Sequence, residues 1–236
     1  MTTLRSILMI LTTVVAVATA SAQKGVDLDD LLTVVDENHR TVYYDRQTNK
    51  PLNGDFRIKR SLDVEVVKLK NGVMNGDYRR YRNGDLRESG RYDKGLRNGV
   101  FTEYYSDGKS VKRIAPMKKG KIDGLVKTYY NDGSLESLKE YSMSVENGFD
   151  RQFAKTTGEQ IYDANFVNGK KEGEEWEMKD NGNGTYSHIV RNYSGDKLNG
   201  SFRTELIRDG EVIYLIEGEY YQGEKIGEWK ETNFEG

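Results

Sequence analysis

The chain has 236 residues, of which 31% are charged, with a formal net charge of −2, two prolines and no cysteine. That length holds one domain or one repeat array, not two large domains, and the absence of cysteine excludes disulfides, thiolate metal sites and a lipid-bearing cysteine tether. Sixteen tyrosines against seven phenylalanines and two tryptophans, with a mean hydropathy of −0.79, do not suit a thick two-layer core. A tyrosine packs its ring and keeps its hydroxyl wet, so the composition points to a thin sheet with water on both sides.

Residues 1–22 read as a secretory signal peptide. Arg5 is the positive start, Ile7 to Ala18 is apolar apart from two threonines, and Ala20-Ser21-Ala22 forms a small-x-small cleavage site before Gln23. The apolar run is well under the roughly 20 residues that span a bilayer. The expected location is periplasmic or secreted.

From residue 53 to 236 the chain repeats itself. A glycine recurs at Gly54, Gly76, Gly99, Gly124, Gly148, Gly173, Gly200 and Gly227. An apolar residue follows two places later in most copies: Phe56, Tyr78, Phe101, Val126, Phe202 and Trp229. A large apolar residue precedes the next glycine by seven places: Leu69, Tyr92, Met117, Tyr141, Phe166, Tyr193 and Tyr220. Further turn pairs come eight to ten places after the anchor, such as Asn83-Gly84, Asp107-Gly108, Asp132-Gly133 and Asp209-Gly210. Asn-Gly and Asp-Gly accept the positive φ that tight hairpin turns need, so the eight anchors are read as structural turn glycines. The segments between turns have strand length and strand composition. The expected fold is all-β, an elongated single-layer antiparallel meander of tandem β-hairpins. The tandem tyrosines Tyr43-Tyr44, Tyr104-Tyr105, Tyr129-Tyr130 and Tyr220-Tyr221 must point to opposite faces, so both faces carry aromatic rows, read as cross-strand ladders that hold the sheet together, with a binding platform as the alternative.

Runs such as NGDYRRYRNGDLRESGRYDKGLRNG (75–99) and DGLVKTYYNDGSLESLKEYSMSVENG (123–148) resemble the MORN-repeat variant of the bacterial YwqK-like antitoxin group. By the same resemblance, 34–56 looks like a degenerate opening hairpin, which makes 23–52 a lead-in to the array. Asp150 and Glu175 depart from the pattern by replacing the apolar residue two places after the anchor. The resemblance implies an elongated hairpin sheet that binds proteins or lipids, and no reaction.

No nucleophile elbow, phosphate loop or paired His/Cys arrangement is present. His39 and His188 lie far apart in sequence and are read as ordinary turn or strand residues. Asp180-Asn181-Gly182-Asn183-Gly184 superficially resembles a calcium loop but lacks the distal bidentate Glu. No catalytic residue, metal or cofactor is expected. Charge is more informative. Residues 51–127 hold 19 Lys/Arg against 10 Asp/Glu, a net of +9, and residues 128–236 hold 12 against 22, a net of −10. The candidate contacts for an anionic partner are Arg79, Arg80, Arg82, Arg87, Arg91 and Arg97. The expected function is a non-catalytic exported scaffold that binds a protein or envelope component. The alternatives are a peripheral binder of anionic lipid or glycan through the basic half, and an antitoxin-like inhibitor. Nucleic acid is not an expected partner of an exported chain; a competing reading of the charge split is salt-sensitive self-association of the two oppositely charged halves.

Overall fold

The computed structural model describes residues 23–234; the signal-peptide reading of 1–22 lies outside them. The chain opens with β1 (Lys24–Asp27), a short 3-10 turn (Leu28–Asp30), β2 (Leu31–Val35) and β3 (Thr41–Asp45). The first repeats supply β4 (Gly54–Arg60), β5 (Asp63–Lys70), β6 (Val73–Arg82), β7 (Asp85–Asp93), β8 (Leu96–Arg97), β9 (Gly99–Tyr104) and β10 (Val111–Lys118). The middle supplies β11 (Lys121–Ile122), β12 (Gly124–Tyr129), β13 (Leu135–Ser142), β14 (Val145–Phe153), β15 (Gln160–Val167), β16 (Lys170–Lys171) and β17 (Gly173–Asp180). Long strands close the array: β18 (Thr185–Ser194), β19 (Lys197–Arg208), β20 (Glu211–Tyr221) and β21 (Glu224–Asn233).

Nineteen strands form one sheet and β2–β3 a separate pair. From β4 to β21, leaving aside the two-residue strands β8, β11 and β16, each strand pairs antiparallel with the next, so the array is a single-layer meander. The two-residue strands β8, β11 and β16 are the outer ends of β9, β12 and β17, each split off by one residue. β1 lies parallel to β4 at one margin. The 23–52 segment also does something a simple lead-in would not. Its β2–β3 hairpin leaves the sheet and covers one face, where Leu31 and Tyr43 pack with Phe56, Ile58, Val67 and Leu69. Tyr43 N–H donates to Gly72 O at 2.8 Å, which ties the cover down.

The anchor glycines are not turn residues, which corrects the sequence reading. The reversals are made a few residues earlier by two-residue turns such as Asn71-Gly72 (φ 51° and 78°) and Lys94-Gly95 (φ 48° and 83°), the paired positive φ of a type I′ turn. Gly54, Gly99, Gly124 and Gly173 open strands, while Gly76, Gly148, Gly200 and Gly227 lie inside them. The register slips around these positions, as between Val67↔Tyr78 and Leu69↔Met74. Gly76 at φ 140° is backbone that only glycine adopts without strain, the usual mark of a β-bulge.

The residue before each of the first seven anchors has a different job. Asn53 Oδ1 accepts the N–H of Asn71, the first residue of the next tight turn, at 2.7 Å. The same bond runs from Lys94 to Asn75, Lys119 to Asn98, Met143 to Asp123, Asn168 to Asn147 and Gln222 to Asn199. Glu172 reaches Gly195 N–H in the same way. Beside it, the second turn residue donates to a backbone carbonyl of the preceding repeat, as Gly72 to Leu52, Gly95 to Met74 and Gly169 to Glu146. Successive turns are thus stacked and bonded along one margin.

The other two phases of the repeat meet across strands. Gly54 faces Leu69, Gly76 Tyr92, Gly99 Met117, Gly124 Tyr141, Gly148 Phe166, Gly173 Tyr193 and Gly200 Tyr220. The residue two places after the anchor begins a row that alternates large and small: Phe56, Val67, Tyr78, Gly90, Phe101, Ala115 and Val126. A Cβ on Gly90 would sit 2.6 Å from the Phe101 ring, so the ring requires the glycine. This row is the core, with Val67, Phe101 and Ala115 each only 2% exposed. It continues through Lys139, Asp150, Ala164, Glu175 and Arg191 and becomes apolar again at Phe202, Gly218 and Trp229. Where Asp150 and Glu175 replace the apolar residue they stay buried and paired, Asp150 to Lys139 at 2.7 Å and Glu175 to Arg191 at 2.6 Å, with Lys171 also on Glu175. Two equivalent aromatic triads bracket this charged centre, Tyr78–Tyr92–Phe101 and Phe202–Tyr220–Trp229.

The tandem tyrosines divide their work. Tyr105 OH donates to Tyr129 O at 2.7 Å and Tyr130 OH to Phe153 O at 2.8 Å, so in these two pairs the second tyrosine locks its repeat to the next.

Candidate functional site

The core face carries an open groove of about 700 Å³ over β5, β6, β7 and β9. Strand alternation builds it. Arg80 and Arg82 follow Tyr78 at steps of two on β6 and so share its face. Glu65 of β5 lies on one side of Arg80 and Glu88 of β7 on the other. Arg97 arrives on β8, opposite Tyr92. The groove therefore gathers Arg80, Arg82, Arg87 and Arg97 of the six candidate arginines, together with Lys112. Arg79 and Arg91 are not among them. Arg79 pairs with Val66 and Ser89 on the opposite face, and Arg91 is a solvent-exposed residue 4.0 Å from Asp77.

The charges inside the groove are unequal in availability. Glu88 and Glu103 face each other directly across β7 and β9, an unfavourable like-charge pair. Each is held by its own guanidinium: Arg97 lies 2.8 Å from Glu88 and Arg113 3.1 Å from Glu103. Arg80 stands 3.7 Å from both Glu88 and Asp63. Arg97 also lies over the Phe101 ring at 4.6 Å and donates from Nε to Tyr92 OH at 3.3 Å. Burial pushes the Glu65 carboxyl up from its ordinary value; Arg60 and the Tyr78 hydroxyl, which donates to Glu65 at 3.5 Å, partly offset this. Burial likewise raises the Tyr78 phenol, and the Glu65 charge adds to it.

Two cations remain free to take an outside anion. Arg82 and Lys112 are exposed, with no carboxylate within salt-bridge distance among the described residues. Arg87 stands 3.7 Å from Asp85, and its buried Nε has no acceptor. The sequence located Arg82 and Arg87 but not Lys112. Lys112 enters because the register slips between Val111 and Arg113, which no local pattern announces.

Elsewhere, His39 occupies a positive-φ turn position, and His188 Nδ1 lies 2.8 Å from Glu205 on a strand. In the loop after β17, Asp180 accepts Gly182 N–H and Asn183 accepts Thr185, so both side chains serve the turn. Among the described residues no group of His, Asp and Glu is arranged to hold a metal ion. The fold and the groove together define a single-layer β-hairpin repeat protein with a cation-rich core face. In comparisons with known proteins, no family model and no curated sequence matches the chain.

Proposed function

We propose that the protein is a non-catalytic, exported repeat scaffold that binds a protein or envelope component along its sheet. One observation carries the reading: the open groove in which Arg82 and Lys112 have no carboxylate within salt-bridge distance among the described residues, while Glu88 and Glu103 are held by guanidinium groups. Such a groove favours an anionic group on the partner, because charge-assisted bonds from arginine to carboxylate or phosphate are the strongest polar contacts available. Export rests on the apolar run and the small-x-small site before Gln23.

The test compares mature wild type with an Arg82→Glu/Lys112→Glu variant as baits for envelope fractions, after matched melting curves show that both fold. Partners held by the wild type should be lost by the variant. They should also weaken between low and physiological salt, where screening shortens to about 8 Å. An identical set of partners retained by both baits would overturn the groove reading.

A further inference from the structure

The face opposite the groove carries its own regular row. It holds the residue three places after each anchor, paired across strands in an unbroken register: Arg57, Val66, Arg79, Ser89, Thr102, Ile114, Lys127, Leu138 and Arg151. Every second strand presents a cation, except at Thr102, and the strands between present Val66, Ile114 and Leu138 or the small Ser89. Two residues further along the same strands, and so on the same side by alternation, sits an aromatic: Tyr81, Tyr104, Tyr129 and Phe153; Tyr104, whose hydroxyl lies 3.2 Å from Ser89 Oγ, lines the groove as well. Four successive repeats therefore place a cation or hydroxyl beside an aromatic ring on one face. Successive pairs lie two strands apart, about 10 Å. Arg79 and Lys127 have no salt-bridge partner among the described residues, whereas Arg151 is engaged by Asp163 at 3.1 Å.

We propose that this face is a second binding site, for a linear carboxylated polysaccharide laid across the strands of these four repeats; the proposal rests on the reading of the chain as an exported binding scaffold. The electron-rich face of an aromatic ring attracts the polarised C–H bonds on one side of a pyranose. A guanidinium or ammonium beside it takes the carboxylate of a uronate. The two-strand step matches the length of a disaccharide in an extended β-1,4-linked chain, so one pair serves one disaccharide. Sheet twist selects against a membrane. At about 20° per strand, the row turns by more than about 100° between β6 and β14. A flexible polymer follows that track, and a flat bilayer meets only part of it.

The probe is a series of β-1,4-oligomannuronates of increasing length, with cello-oligosaccharides as the neutral chain of the same linkage and phosphatidylglycerol vesicles as the lipid surface. Affinity of the mature protein should rise with each added disaccharide and level off near four. The neutral series should bind much more weakly. Arg79→Ser/Lys127→Ser should lose about tenfold or more in affinity with an unchanged melting curve, and Arg82→Glu/Lys112→Glu should bind the oligomers as the wild type does. Equal binding by the Arg79/Lys127 variant, no gain beyond one disaccharide, or tighter binding to vesicles than to oligomannuronate would each overturn the ladder. If only the Arg82/Lys112 variant lost the oligomers, the ladder would fail while the groove reading stood. If no oligomer bound but envelope partners still required the groove, the ladder alone would fail.

Discussion

A single side-chain oxygen decides how each repeat is joined to the next. At the position before the anchor only an acceptor is needed, since Asn53, Asn75 and Asn147 receive a turn N–H and donate nothing to it. Asp123 and Glu172 fill the same role, which fits a requirement for an acceptor rather than an amide. Asn147→Ala should therefore cost about 1 kcal/mol in chemical denaturation, the usual worth of such a bond. Asn147→Asp should cost clearly less. Equal losses for the two variants would show that the amide nitrogen matters. The recurrence of Asn or Asp before glycine was plain in the sequence, but the pair mimics a tight turn, because Asn-Gly is also the preferred turn dipeptide. The bond it makes instead lands about twenty residues away, beyond any local pattern.

At the level of the strand, the repeat's phases proved to be contact partners. Leu69, Tyr92 and Phe166 recur seven places before an anchor because each lies across from the previous one. The period, the strand content and the hairpin order were all legible for that reason. The strict pairing of neighbours turns a sequence period into a spatial one. What stayed hidden was polar. Asp150 and Glu175 looked like decay of the repeat, yet they are buried and paired within the core row. Asp150 Oδ1 has no partner of its own, so Lys139 carries the whole burden of that charge. Lys139→Met should destabilise the sheet by about 3 kcal/mol, the cost of leaving a buried carboxylate alone. Adding Asp150→Leu should recover most of the loss, since a matched apolar pair often replaces a buried ion pair without penalty. Urea titration of the single and double variants checks both parts, and a double variant no more stable than the single would refute the account. The cation three places after the anchor (Arg57, Arg79, Lys127, Arg151) was also in plain sight. Arg79 was legible as part of the dense cluster in the second repeat, whereas the row it belongs to runs across the strands and emerges only from their pairing.

Across the whole molecule, strands about 4.8 Å apart in a single layer make a long ribbon. A compact chain of this size would have a radius of gyration near 17 Å. Small-angle scattering from residues 23–236 should give a clearly larger value, and one close to the compact figure would rule out an extended array in solution. The charge split between halves gains a structural meaning only in part. In the basic half, Arg80, Arg97 and Arg113 are already neutralised by carboxylates, so net charge overstates what that half offers a partner.

The stacked turns have one more consequence. Each turn leans on the one before it through a side-chain bond and a backbone bond, all on the same margin. That margin behaves as a hem, stitched at regular intervals. Every stitch joins only adjacent units, so one whole hairpin unit could be gained or lost and the stitches on either side would close again. The length of the molecule, and with it the reach of both its faces, is in that sense adjustable in steps of a single hairpin.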